Sequence, residues 1–241
     1  MSLVLLKSFI TLSLKSPKRA LNAGIFKLIM NIDFKFRVSF QIIDRAFGFL
    51  SKSEAFALYF LAKNCVFGQN ILEIGSLEGR STLALASGAR NGVKVYAVDP
   101  HTGEQKGLNR AQSSTWEVFL NNTKNFSCII PIRKYSKDAK KDIGEKISLQ
   151  FIDGWHSENA VDADINNFLP CLNKEFTIVF DDWGDSGVQA GIKKNLNVLP
   201  PFLGSVGKMV IFTNSDKVIS SRFGKCIKNK TDSSLQFLFR R

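Results

Sequence analysis

At 241 residues the chain is long enough for one α/β domain plus an accessory segment, and its apolar fraction of 44% is that of an ordinary globular protein. The net charge of +12 sits at the ends: residues 1–50 hold eight Lys or Arg against two Asp, residues 201–241 hold the same, and residues 51–200 are neutral. No stretch has the ~18–20 uninterrupted apolar residues of a membrane span, and the start, MSLVLLKSFITLSL, lacks both the preceding charge and the small-residue cleavage site of a signal peptide.

The first 50 residues read as helices outside the main fold. Leu3, Leu6, Phe9 and Ile10 fall at helical spacing, Pro17 breaks the pattern, and Ala20 to Asn31 places Leu21, Ile25, Leu28 and Ile29 on one face. With Lys18, Arg19, Lys27, Lys35 and Arg37 nearby, two readings stay open: an amphipathic segment lying on an anionic membrane surface, or a helical hairpin packed on the domain or on a second subunit. Basic ends also suit nucleic acid, or serve solubility alone. Residues 51–241 are expected to form the main domain.

Ser51-Lys52-Ser53-Glu54 has the polar start of a helix that continues from Ala55 to Asn64. An alternation follows. Strands are expected at Ile71–Ile74, Val93–Val98, Cys128–Ile132, Ile147–Ile152 and Phe176–Phe180. Helices are expected at Ser81–Ala89, Thr115–Lys124, Lys137–Ile143, Ala160–Leu169 and Val188–Leu196, with a polar loop over Gly103–Ser114. Two late strand-like runs, Lys208–Phe212 and Val218–Ser221, flank a turn at Asn214-Ser215-Asp216. This pattern predicts a Rossmann-like, doubly wound, mostly parallel seven-stranded sheet with a late antiparallel hairpin. The four cysteines are far apart and form no CxxC pair, so they are expected to be free thiols in a reducing, cytoplasmic setting and not a zinc site.

In such sheets ligands bind beyond the carboxyl ends of the strands. Both histidines, His101 and His156, fall there, with Trp155, Trp183, Glu73, Asp99, Asp153, Asp181 and Asp182. The stretch Asn70–Ser81, NILEIGSLEGRS, turns a buried strand through Gly75 and Gly79 into a helix start, a place that offers free N–H groups to a ligand. Three residues separate the two glycines, so the motif is not GxGxxG. Glu73 and Glu78 within it would repel a pyrophosphate but not a cationic ligand. Asp99, at the next strand end, is placed to accept two ribose hydroxyls.

Glu73-Ile74-Gly75-Ser76, Gly79-Arg80-Ser81-Thr82 and Val95–Asp99 resemble the cofactor half of class I S-adenosylmethionine-dependent methyltransferases. Phe151-Ile152-Asp153-Gly154-Trp155-His156-Ser157-Glu158, with Val161 and Asp164, resembles the group called methyltransferase domain 24. That group is similar to the macrocin and novobiocin-type sugar O-methyltransferases and to cephalosporin-hydroxylase-like proteins. The resemblance covers about residues 53–215 and implies a cofactor set of Glu73, Gly75, Ser76, Gly79, Ser81, Asp99, Ser136 and Asp153. Gly75, Ser76 and Gly79 would wrap the methionine part, Ser81 or Thr82 would cap the helix, Asp99 would hold the ribose, and Ser136 would face the adenine.

Asp153, Asp181 and Asp182 match the acids with which metal-dependent members hold a divalent ion, and three hard oxygens suit Mg²⁺. The chain departs from those members where Trp155 replaces an acid. His156, with an unperturbed pKa of ~6.5, is then the expected general base beside Asp153. The implied activity is O-methylation of a sugar, glycan or other small hydroxyl acceptor, by a monomer or homo-oligomer. A nucleic-acid methyltransferase is disfavoured, because Asp153-Gly154-Trp155-His156 stands where enzymes of base amino groups carry Asn/Asp-Pro-Pro-aromatic. A non-catalytic member of the fold at a membrane surface is the remaining alternative.

Overall fold

A computed structural model describes residues 17–103, 115–143 and 146–231, with Leu235, Leu238 and Phe239. The run around Leu3–Ile10 and nearly all of the loop 103–114 lie outside the described residues. Helices α1 (Pro17–Ile32), α2 (Phe34–Ile43) and α3 (Lys52–Asn64) precede strand β1 (Asn70–Ile74). Then come α4 (Arg80–Gly88), β2 (Val95–Val98), α5 (Trp116–Thr123), β3 (Ile129–Ile132), α6 (Ser136–Ala139), β4 (Ile147–Ile152) and α7 (Glu158–Phe168). The chain continues through β5 (Leu172–Phe180), α8 (Ser186–Lys194), β6 (Phe202–Val206), β7 (Met209–Thr213), α9 (Asp216–Ser220) and α10 (Arg222–Lys230).

The strands form one seven-stranded sheet in the order β3-β2-β1-β4-β5-β7-β6. The first five are parallel, and β7 runs antiparallel to both β5 and β6. Register matters more for function than order does. Ile74 lies opposite both Val98 and Ile152, and Ile152 lies opposite Phe180. The ladder therefore ends in one row, and the next residues continue it: Gly75 N–H donates to Val98 O, Asp99 N–H to Ile132 O, Asp153 N–H to Ile74 O and Asp181 N–H to Ile152 O. Four positions that are scattered in sequence become neighbours at one edge.

Alternate strand residues face opposite layers. Ile71, Val95, Leu149, Phe151, Val179 and Ile211 pack under α1 to α4 and α10, and Leu72, Ile74, Val98, Ile152, Ile178 and Phe180 pack under α7 and α8. The N-terminal helices join the first layer through Phe26, Met30, Phe36 and Ile43. Ring centroids of Phe36 and Phe56 are 4.9 Å apart, and those of Phe26 and Phe223 are 5.8 Å apart, so the two basic ends of the chain meet on this face. Burying each of these rings contributes on the order of 2–3 kcal/mol. Pro17 opens α1 at the first helical position, where its missing N–H costs nothing.

The late hairpin is present, but its strands are not the expected pair. Val218 lies in the helix α9, and the partner of β7 is β6. Ser215 is the residue before α9 and donates its N–H to Thr213 Oγ1, so the polar Asn214-Ser215-Asp216 stretch starts a helix where a strand-to-strand turn was expected. The actual turn is Gly207. Pro200 and Pro201, just before β6, and Gly204 within it hid this edge strand, because none of them has strand propensity. All four cysteines are free thiols. Among the described residues no helix is long and apolar enough to cross a membrane.

Candidate active site

The first half of the site is built by the turn after β1. Gly75 has φ +89°, and a Cβ there would fall on the Asp153 carbonyl oxygen. Gly79, φ +93°, is the N-cap of α4 and supplies no side chain to it, so neither Ser81 nor Thr82 caps this helix. Their hydroxyls serve Glu73 instead. That carboxyl is fully buried beneath the turn and accepts a hydrogen bond from Thr82 Oγ1. Burial pushes it up to about 8, against the lowering effect of Ser81 and Thr82, so Glu73 is neutral near pH 7. The sequence reading of Glu73 as a charge facing the ligand therefore changes to one of a brace below it.

Asp99 closes the same turn from β2. Its Oδ2 accepts from Leu77 N–H at 2.9 Å and its Oδ1 from His101 N–H at 2.6 Å. Leu77 and His101 both adopt positive φ, at 45° and 53°. His101 is buried, meets Thr115 Oγ1 at 2.8 Å through Nδ1, and packs edge-on to Trp116 at 5.1 Å. Burial lowers its pKa. Ser76 Oγ is buried with no hydrogen-bond partner among the described residues. Ser136 opens α6, and its hydroxyl works against the burial that lifts Asp164 to about 6.

The second half lies beyond β4 and β5. His156 stands among three carboxylates: its Nε2 is 3.9 Å from Asp153 Oδ1 and 3.7 Å from Asp182 Oδ2, and its Nδ1 is 3.7 Å from Asp185 Oδ2. Asp153, then Asp182 and Asp185, raise the pKa of the ring against the lowering effect of its partial burial, which makes it a stronger base. Asp182 has φ +45°, which turns it toward His156, while the N-cap of α8 is Asp185, accepting from Gly187 N–H at 3.0 Å. Asp153, His156 and Asp182 each offer a ligand atom, all within 4.8 Å of one another.

Asp181 is absent from that set. It is buried, its Oδ2 pairs with Lys208 Nζ at 3.6 Å, and burial with the charge of Asp153 lifts it to about 7. Lys208 also meets Asp182 Oδ1 at 2.6 Å. Glu54 fixes this lysine: its Oε1 accepts Lys208 N–H at 2.7 Å while its Oε2 caps α3 through Ser51 N–H. A cavity of about 500 Å³ adjoins the cluster, lined by His156, Asp182, Trp183, Asp185, Gly207 and Lys208 among others. Trp155 is 58% exposed and is not part of its wall.

The sequence reading assigned no site role to Lys208, Asp185 or Arg80. Arg80, the first residue of α4, reaches back to the N-terminal segment. It donates to Ala46 O at 2.9 Å and Leu50 O at 3.0 Å and pairs with Asp44 Oδ1 at 2.6 Å.

The family model described as a methyltransferase domain matches residues 72–183, from Leu72 through Trp183. That match, with the sheet order and the row of strand ends, supports an S-adenosylmethionine-dependent methyltransferase. The O-methyltransferase of Bacillus cereus, solved in complex with SAH, superposes with a TM-score of 0.56 at 17% identity, covering 79% of this chain and 97% of that one. A Corynebacterium glutamicum protein gives 0.56 at 13% identity over 76% and 90%. The O-methyltransferase NovP gives 0.54 at 12% identity over 67% and 79%. No curated protein matches the chain.

The residues present fit the methyltransferase cofactor. The buried, unpartnered Ser76 hydroxyl, the N-terminus of α4 and the Asp99 carboxylate surround one turn, as a ligand with a carboxylate and ribose hydroxyls requires. When bound, S-adenosylmethionine supplies an electrophilic methyl group.

Proposed function

We propose that this chain is an S-adenosylmethionine-dependent O-methyltransferase acting on a hydroxyl of a sugar-like acceptor seated in the cavity beside His156. The observation that carries this reading is the wall of that cavity: one aromatic face, Trp183, set among Asp182, Asp185, Lys208 and His156. A sugar offers the matching pair, an apolar ring face and an edge of hydroxyls. An acid-rich wall repels a phosphate backbone, which weighs against nucleic acid.

In this reading His156 takes the acceptor's proton through Nε2 while Asp185, at Nδ1, orients the ring. Asp99 and Ser76 hold the donor, Gly75 and Gly79 shape the turn around it, and Ser136 lies on the adenine side. Glu73, Ser81 and Asp153 contribute from below and beside the turn.

A divalent cation is the second reading, favoured by the convergence of Asp153, His156 and Asp182. One imidazole and two carboxylates suit Mg²⁺ or Mn²⁺. The ion would lower the acceptor hydroxyl's pKa, and His156, as a ligand through Nε2, would then not be the base. The Lys208 ammonium already compensates Asp182, which weakens this reading.

The test is calorimetry with S-adenosylhomocysteine, followed by mass spectrometry of free sugars and glycosides incubated with enzyme and donor. Binding that is lost in Asp99→Ala and a methylated sugar product support the proposal. Absence of binding, or the same affinity in Asp99→Ala, removes it.

A further inference from the structure

The N-terminal helices are amphipathic twice over. One face of α1 and α2 enters the core, yet the opposite face is also apolar. On α1, Leu21, Leu28 and Ile32 are 64%, 59% and 66% exposed, and their spacing puts them on the side opposite Phe26 and Met30. On α2, Phe34, Val38 and Ile42 recur every fourth residue and are 73%, 48% and 43% exposed, opposite Phe36 and Ile43. Soluble monomers scatter such residues singly; two aligned rows are a patch.

Cations border these rows. Lys35 and Arg37 flank the α2 stripe on either side, and Lys27 and Arg45 are exposed close by in sequence. The two acids of this segment are already engaged: Asp33 with Lys63 at 3.1 Å and Asp44 with Arg80 at 2.6 Å. Beside α1 packs α10, whose Arg222 and Lys225 are exposed. The fold thus gathers the two basic ends of the sequence around one apolar surface, with no uncompensated acid on α1 or α2.

From this we infer that the outer face of α1 and α2 docks on an anionic lipid bilayer. Its apolar rows enter the headgroup boundary and its cations meet the lipid phosphates and carboxylates. A second copy of the chain is the poorer occupant, because pairing this face with itself sets Lys35 and Arg37 against their own images. Arg80 joins the end of α2 to the first turn of α4, so a docked face lies one side chain away from the cofactor turn. The inference does not depend on which acceptor is methylated.

Co-sedimentation of the full chain with vesicles tests it, comparing phosphatidylcholine alone with phosphatidylcholine containing phosphatidylserine. Binding is expected to the mixed vesicles only and to fall in high salt, where the screening length shrinks from ~10 Å to ~3 Å. The triple charge reversal Lys27→Glu, Lys35→Glu, Arg37→Glu is expected to weaken binding at least 100-fold, on the order of what three surface cations supply. Leu28→Ser with Phe34→Ser is expected to weaken it without charge change, and unchanged thermal midpoints show that both variants are folded. Three results overturn the inference: no sedimentation with either vesicle, equal sedimentation with both, or a dimer in light scattering that Leu28→Ser with Phe34→Ser dissolves.

Discussion

Gly75 and Asp153 stand back to back, with no room between them for a single methyl group. The α-carbon of Gly75 faces the carbonyl oxygen of Asp153, and φ of +89° places the glycine where side chains are strained. The end of β1, which begins the cofactor turn, is thereby locked to the end of β4, which begins the acceptor side. The glycine is needed for this internal contact as much as for any ligand.

Gly75→Ala is accordingly expected to separate the two strand ends. A clash with backbone that cannot yield, added to a strained φ, costs about 3 kcal/mol. For a domain of this size the thermal midpoint should fall by roughly 10 °C. Binding of S-adenosylhomocysteine should weaken in the same variant. A melt within a degree or two of the parent would show that the strands part easily.

Asp99 accepts two backbone N–H groups and retains lone pairs toward the cleft. Asp99→Asn keeps the shape and removes the charge. Charge-assisted hydrogen bonds contribute about 1.5–3 kcal/mol, so the dissociation constant for S-adenosylhomocysteine should rise about 10–100-fold. Calorimetry measures this directly, and an unchanged constant would take Asp99 out of the ribose contact.

The parts of this molecule that were legible in the sequence are those governed by local pattern. Apolar runs such as Ile71–Ile74 and Ile147–Ile152, closed by glycine or aspartate, mark parallel strands and their functional ends without any knowledge of packing. Strand order brought Asp153, Asp181 and Asp182 to one edge with His156 beside them, but the set that converges is Asp153, Asp182 and His156, because Asp181 is buried against Lys208. What was not legible depends on contacts across distance. Lys208 is placed by Glu54, 154 residues earlier, and neither residue announces the other. Glu73 read as a charge facing the ligand because burial is invisible in a sequence. Val218 read as a strand because a β-branched residue beside isoleucine fits either state, and the structure places it in α9.

Glu73 makes stability depend on pH in a definite direction. Its folded pKa, about 8, lies above the ordinary value of 4.5. Between those values the folded chain holds a proton that the unfolded chain releases. Stability is therefore highest below about pH 4.5 as far as this group is concerned, falls as pH rises, and levels off above pH 8. One proton corresponds to about 1.4 kcal/mol per pH unit. Glu73→Gln, which can still accept from Thr82, should flatten this slope and be more stable than the parent at pH 8. Denaturant melts at pH 5.5 and 8 check it, and parallel curves for the two proteins would refute the buried, protonated carboxyl.

Lys208 decides how the acid cluster treats a metal. Its ammonium lies 2.6 Å from Asp182 and 3.6 Å from Asp181, so it neutralises charge that a divalent cation would otherwise meet. Lys208→Met keeps the aliphatic stem and removes the charge. Two charges about 4 Å apart near a protein surface interact by several kcal/mol before screening. Even heavily screened, that term predicts Mn²⁺ binding at least about tenfold tighter in Lys208→Met than in the parent. The same substitution should raise the pKa of Asp181 further, because it removes the ammonium that lowers it and leaves burial and Asp153, which raise it. Mn²⁺ titration followed by paramagnetic resonance measures the affinity, with Asp182→Asn in the same background as the control that should abolish it. Equal Mn²⁺ affinity with and without Lys208 would mean that the ion, when it binds, sits away from Asp153, His156 and Asp182.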